Sequence, residues 1–249
     1  MQKQQNIEHW VGLHKGGSNC DYSNENIQNS WKRSDNRNID YERAVPKELT
    51  QTELERTKKT YKRFMMCSDW VINHIIANTP EDELRILLFS KDGVLLRIYG
   101  NMSENDWLSQ CGIKNGTKWT EESIGTNPFS LGIQCKRAVS LPGSYNYSRF
   151  LIDGAFYFAP INLVENEMFG SIVLAVPQEK RDENILSVAI SVARTIELDM
   201  FFFQCIDMFT SSDEESGSIF LRQNKDRNEV VIINDQVFKI LGYDLHHRK

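Results

Sequence analysis

Side chains that can do chemistry are thinly spread in this chain, and their spacing argues against catalysis. Cys20, Cys67, Cys111, Cys135 and Cys205 are odd in number, far apart and never in a C-x-x-C pair, so they suggest neither a disulfide framework nor a zinc site. Cys111 with Cys135 is the pair to weigh for thiol redox chemistry; the alternative is two small buried hydrophobes on helices. No histidine lies between Asp82 and Leu245, which leaves the middle of the chain without the usual general base unless His74 enters from its helix. Glu121 and Glu122, beside Trp119, are either a paired-carboxylate site or two acids that favour the start of a helix through its dipole. His9 and His14 are either a metal pair or tail residues. The run from Gly112 to Lys118 resembles a phosphate-cradling loop, but it is one residue short between its glycines and reverses the lysine and the hydroxyl. The expectation is no catalytic set, no metal and no cofactor.

Recognition is the stronger reading. Phe129, Tyr145, Tyr147, Phe150, Phe156 and Phe158 crowd residues 129–158, and Asn127, Asn146, Arg149 and Asp153 offer a few polar groups among them. A mainly apolar lining with few polar anchors is what small-molecule pockets use, although the same rings can simply fill a core. If the loop from Ser144 to Asp153 is a lid, Arg149 is suited to pair with a carboxylate or other anion. Tyr157 should point away from Phe156 and Phe158 by strand alternation.

Positioning these groups takes a capped helix, a short strand, an aromatic loop and a buried strand between Trp119 and Leu163. Pro128 suits the first turn of a helix, and Asn127 or Thr126 before it can accept orphan N–H bonds. That helix should run to about Arg137, with Phe129, Gly132 and Ile133 on one face. Upstream, a capping box of Thr50 and Glu53 opens a helix to about Ala77. Its Leu54, Tyr61, Met65, Ser68, Ile72 and Ile75 recur at near-heptad spacing, which suits packing lengthwise on another helix as well as on a sheet. Asp92-Gly93 between two apolar runs marks a hairpin. Ser103 to Cys111 predicts a short helix with Trp107 and Leu108 inward, and Gly170 to Pro177 a last apolar strand. Asp182 can cap a helix over 183–209 whose late turns are apolar all round. Residues 1–44 are polar and aperiodic apart from two islands, His9 to His14 and Ser30 to Ser34, and predict a flexible arm.

The chain has 249 residues and a formal net charge of −5, which gives no electrostatic footprint for nucleic acid or an anionic membrane. It shows no signal segment and no apolar run long enough for a bilayer, so a cytoplasmic setting is expected. Trp119, Glu121 or Glu122, Gly125-Thr126-Asn127, Val139, Gly143, Tyr147 and Ala159-Pro160-Ile161 resemble the GAF domain in the sensory half of sigma-54-dependent bacterial transcriptional activators of the acetoin-regulator type. Ser30-Trp31-Lys32-Arg33-Ser34 resembles the element that precedes it there, in which an aromatic anchor and an arginine tie the arm to the domain. Two elements depart from the pattern: Asn146 stands where that loop carries histidine, and Gly154 and Phe156 where the last strand begins with Trp and Cys. Beyond a polar linker, Ile219-Phe220-Leu221, Val230 to Asn234 and Val237 to Tyr243 resemble the opening of a PAS domain.

The resemblance implies an α+β fold, a GAF-like antiparallel sheet with the long helices 50–77 and 183–209 on one face and a ligand pocket on the other. It divides the chain into a flexible arm at 1–44, a sensor domain at 45–209, a linker at 210–217 and a truncated PAS start at 218–249. Its ligand-binding residues would be Trp119, Asn127, Phe129, Tyr145, Asn146, Tyr147, Arg149, Phe156 and Phe158. The implied function is to bind a small-molecule effector and signal to ATPase and DNA-binding domains outside this chain, as a homodimer through the two long helices, with no direct nucleic-acid or membrane contact. The alternatives are a GAF and PAS module of a histidine kinase or cyclic-dinucleotide enzyme, or a methionine sulfoxide reductase acting through Cys111 and Cys135.

Overall fold

The computed structural model describes residues 2–14, 25–79, 84–100, 106–163, 167–211, 219–224 and 227–233. The chain divides into two compact units, Met1–Glu197 and Leu198–Lys249. In chain order the elements are helices α1 (Gln2–His14) and α2 (Glu25–Asn36), strand β1 (Lys47–Glu48), helices α3 (Gln51–Thr60) and α4 (Lys62–Ile76), strands β2 (Arg85–Ser90) and β3 (Leu95–Tyr99), and helix α5 (Trp107–Gln110). They continue with strand β4 (Thr117–Lys118), helices α6 (Glu121–Ile124) and α7 (Pro128–Cys135), strands β5 (Val139–Leu141), β6 (Gly154–Asn162) and β7 (Met168–Pro177), helix α8 (Asn184–Ser211), and strands β8 (Ile219–Asn224) and β9 (Arg227–Ile233).

Five strands make the central sheet in the order β3-β2-β7-β6-β5, every neighbour antiparallel. The β2–β3 turn is the expected Asp92-Gly93 hairpin. Gly93 takes φ +82°, and a Cβ there would lie 2.7 Å from the Trp119 carbonyl oxygen, so the turn needs glycine twice over. One sheet face carries Leu87, Phe89, Leu95, Phe156, Phe158, Val173 and Ala175 into a cluster with Trp119, Phe129 and Leu131. The alternate residues Ile86, Leu88, Tyr157, Ile172 and Leu174 are buried as well, and they lie on the side of α4 and α8. Phe64 of α4 meets Phe169 edge to face, with ring centroids 5.6 Å apart. The Tyr157 phenol accepts from the Asp182 N–H just ahead of α8, and Glu197 of α8 accepts from the Asn162 N–H. A sheet covered on both faces explains why its strands read as continuous apolar runs.

Helix ends follow local chemistry. The Thr50–Glu53 capping box forms, Asn127 caps α7 with Pro128 in its first turn, and Asp106 caps α5 through the Leu108 N–H while its carboxylate meets Arg85, both buried. The single helix expected over 50–77 is instead two, because Tyr61 leaves helical geometry at φ −95°, ψ 15°. Its ring turns inward against Phe169 and its phenol accepts from the Lys91 N–H. Of the helix expected over 103–111, the part before Asp106 lies outside the described residues.

The flexible arm is corrected for the described part of residues 1–44. Helices α1 and α2 pack against the rest of the first unit through Trp10, Ile27 and Trp31, all buried. Composition underestimated this segment because its apolar residues are few, but Trp10, Ile27 and Trp31 join one core cluster, with Ile7, Val11, Ile39 and Tyr41 packed against it. In the second unit β8 and β9 pair antiparallel, Ile219 opposite Ile233. The PAS-like run from Asn234 to Tyr243 lies outside the described residues, as does most of the linker.

Candidate functional site

Between β5 and β6 the chain makes two 3-10 turns, Gly143–Tyr145 and Arg149–Leu151. Gly143 lets the loop cross itself, since a Cβ there would lie 2.1 Å from the Ile152 carbonyl oxygen. The Asn146 side-chain amide donates to the Pro142 and Gly143 carbonyls and closes the first turn. The Tyr147 N–H donates to Thr126 O at 2.8 Å and the Ser148 hydroxyl to Ile124 O, which ties the loop to the junction of α6 and α7.

The N-terminal helices sit on this loop. Trp31 Nε1 donates to the Tyr145 carbonyl at 2.9 Å, Trp10 Nε1 to the Asn146 carbonyl at 3.1 Å, and His14 Nε2 to the Tyr147 carbonyl at 3.0 Å. The contact runs both ways, because the Arg149 N–H donates to Tyr41 O and the Tyr147 phenol donates to Asp35 at 2.8 Å. His14 also stacks on Tyr41 with ring centroids 3.7 Å apart. Burial pushes the His14 imidazole below its usual pKa, against the opposing pull of the Tyr147 carbonyl, Asp35 and Glu42. It is therefore held neutral, with its proton on Nε2 facing the carbonyl.

A second hold lies at Glu121, which is 9% exposed. Its carboxylate accepts from Arg33 Nε at 3.1 Å and Nη2 at 3.0 Å, from Arg37 at 3.1 Å, from Gln134 at 2.8 Å and from the Ser30 hydroxyl. Ser30 in turn accepts from Thr126 Oγ1, and Ser34 accepts from the Thr126 N–H. Burial alone would raise the Glu121 carboxyl; the Arg33 and Ser30 hydrogen bonds and the Arg33 charge outweigh it and hold it below the usual carboxylate value. Glu122 is exposed, so the two acids are not a carboxylate pair: one is an anchor for the arm and the other faces solvent.

Beneath the loop the rings pack against one another. Phe129 lies 5.3 Å from Phe89 and 6.1 Å from Phe158 between centroids, and Trp119 lies 5.3 Å from Phe89, 6.0 Å from Phe150 and 6.4 Å from Phe156. Trp119, Asn127, Phe129, Asn146, Tyr147, Phe156 and Phe158 are all buried, Tyr145 is half-buried and Arg149 is exposed. Asn127 spends its side chain on the α7 cap and the Gly125 carbonyl. Asn146 differs: it is 0% exposed, and its Oδ1 has no hydrogen-bond partner. The two carbonyls held by Nδ2 fix which way the amide points, because the flipped amide would set oxygen against oxygen. Trp107 Nε1 is another buried atom without a partner, its ring 6.2 Å from Phe156. A different space, a cavity of about 770 Å³, opens at the sheet edge between Val45–Glu48, Ile98–Gly100 and Ser109–Thr117. None of the expected ligand-binding residues lines it. Among the described residues no cluster of His, Cys, Asp and Glu could hold a metal ion, and no helix is long and apolar enough to cross a membrane.

An antiparallel sheet with long helices on one face and a loop-roofed aromatic layer on the other makes an α+β, GAF-like fold. No family model matches the chain. It is 26% identical over 175 residues, 70% of its length, to the acetoin dehydrogenase operon transcriptional activator AcoR of Bacillus subtilis (strain 168), and spans 29% of that protein. It is 24% identical over 137 residues to an uncharacterized 47.3 kDa protein in the thcA 5' region of Rhodococcus erythropolis, covering 55% of this chain and 31% of the other. Among solved structures, the E. coli DhaR(N)–DhaL complex matches 90% of this chain and 79% of that one with a TM-score of 0.66 at 19% identity. Of these two sequence relatives, the first is a transcriptional activator and the second is uncharacterized.

Sequence reasoning identified the aromatic loop and the Trp31–Arg33 element but missed Asp35, Tyr41 and Thr126 as arm contacts. It weighed His14 only as a metal ligand or a tail residue. The missed signal was an island holding two buried-type donors, Trp10 and His14, four residues apart and so on one helical face.

Proposed function

We propose that this chain is the signal-input region of a sigma-54-dependent bacterial transcriptional activator, working in the cytoplasm. A small-molecule effector held between the 143–151 loop and the aromatic layer biases how α4 and α8 pack in a homodimer. ATPase and DNA-binding domains beyond this chain, reached through a PAS domain that begins at β8, report the change. The observation that carries the reading is Asn146 Oδ1, a buried acceptor whose desolvation costs about 1–3 kcal/mol while it lacks a donor. A hydroxyl or N–H of an effector supplies that donor. Because the rings beneath the loop are packed, an effector must displace some of them to enter, and this makes binding and conformational change one event. Turning such a region from mostly off to mostly on takes a differential affinity of about 5.5 kcal/mol.

A protein effector is the second reading. The packed aromatic layer favours it, and a DhaR(N) relative in fold was solved as a complex with DhaL. The deciding experiment is native mass spectrometry of the purified chain, followed by thermal melting with each co-purifying small molecule on wild type and Asn146→Leu. A compound that raises Tm in wild type and not in Asn146→Leu supports the metabolite reading. If no small molecule is retained and none shifts Tm, the metabolite reading fails.

A further inference from the structure

We propose that α1 and α2 are a latch on the 143–151 loop: the loop opens only when the arm comes off, and the arm is helical only while it is on the loop. Three successive loop carbonyls, Tyr145, Asn146 and Tyr147, accept from Trp31, Trp10 and His14, and the Arg149 N–H is satisfied by Tyr41. These backbone groups find their partners on the arm, so a loop that lifted with the arm in place would break all of these bonds at once. Conversely, α1 has 13 residues and α2 has 12, both mainly polar, and isolated helices of that length are marginal in water. Their order comes from the surface they cover, chiefly through Trp10 and Trp31. Docking, helix formation and closure of the loop are therefore one cooperative step.

Glu121 gives this step a handle away from the loop carbonyls. It holds α2 through Arg33 and Ser30, and through Arg37 just after the helix, so weakening it loosens the arm without touching a residue of the 143–151 loop. Whatever enters the aromatic layer from the loop side must first displace the arm. That consequence rests on the ligand reading above, whereas the latch itself does not.

The test is hydrogen exchange by mass spectrometry on the full chain, comparing wild type with Glu121→Gln and Trp10→Ala. The expected result is that amides over Tyr145–Arg149 exchange about tenfold faster or more, rising together with those of α1 and α2 in both variants, while β7 stays at its wild-type rate. The latch is overturned if the loop keeps its wild-type rate when the arm speeds up, if the loop speeds up under a protected arm, or if neither moves in either variant. A fruitless search for a metabolite leaves these outcomes unchanged, so the two readings fail separately.

Discussion

Glu121 and His14 set opposite kinds of limit on the arm, and both are open to titration. A carboxylate hydrogen-bonded to two arginines is worth more than a neutral acceptor, so Glu121→Gln should lower stability by about 2 kcal/mol at neutral pH, read by urea unfolding. Because the Glu121 carboxyl is held below its ordinary value of 4.5, its contribution is fully present above that value and is lost as pH falls through the lower folded value. His14 works higher on the scale. Its folded pKa lies below the ordinary 6.5, so protons favour the undocked arm, and docking weakens as pH drops below 6.5 and through the folded value. The groups facing it are Asp35, Glu42, Tyr41 and the Tyr147 carbonyl; the two acids soften the effect without reversing it. Indole fluorescence of the arm tryptophans followed from pH 8 to pH 5 should show a transition that His14→Gln abolishes; a transition that survives the substitution assigns it to another group. Residue chemistry was legible where partners lie close in the chain, as with Thr50 and Glu53 or Asn127 and Ser130. Glu121 read as an ambiguous acid because its partners in the arm lie 84 to 91 positions away.

Helices were read from the sequence where apolar period and cap agree, and misread where tertiary packing overrides both. The hairpin, α7 and α8 follow their local signals closely. The break at Tyr61 does not, because it comes from a side chain that turns in to meet Phe169 and Lys91. The arm helices were invisible for the same reason: their order depends on a surface that pattern alone does not reveal. Two glycines show the contrast by experiment. Gly132 on α7 sits against β6, and a Cβ there would lie 2.1 Å from Phe158 Cδ1. Helix propensity alone would reward Gly132→Ala by about 1 kcal/mol, but Phe158 is fully buried and cannot yield, so overpacking should leave the variant at least about 1 kcal/mol less stable in urea. Gly12 on α1 has nothing within 4 Å of an added Cβ. Gly12→Ala should therefore strengthen the arm helix and slow exchange of the Arg149 amide; faster exchange there would mean that α1 does not hold the loop through its helical form.

At the scale of the whole molecule, the first unit has covered both faces of its sheet, and what is left uncovered points outward. Met66 and Trp70 lie four residues apart on α4, hence on one face, and are 59% and 50% exposed; Val188 of α8 is 43% exposed. We read large apolar side chains exposed on helices whose other faces already line the core as an interaction surface. A second copy of this chain is the partner that the regulatory reading requires, because a symmetric helix pair lets one binding event reset both subunits. Tryptophan at the centre of such an interface carries much of its energy, so Trp70→Glu should weaken self-association by at least about 2 kcal/mol. Sedimentation should then show wild type as a dimer and the variant as a monomer at the same concentration. The melting temperature of the variant should fall only by the share that dimerisation adds, since half of Trp70 is outside the core already. A wild-type chain that sediments as a monomer at high concentration would remove the dimer, and with it the route by which movement of α4 reaches anything downstream.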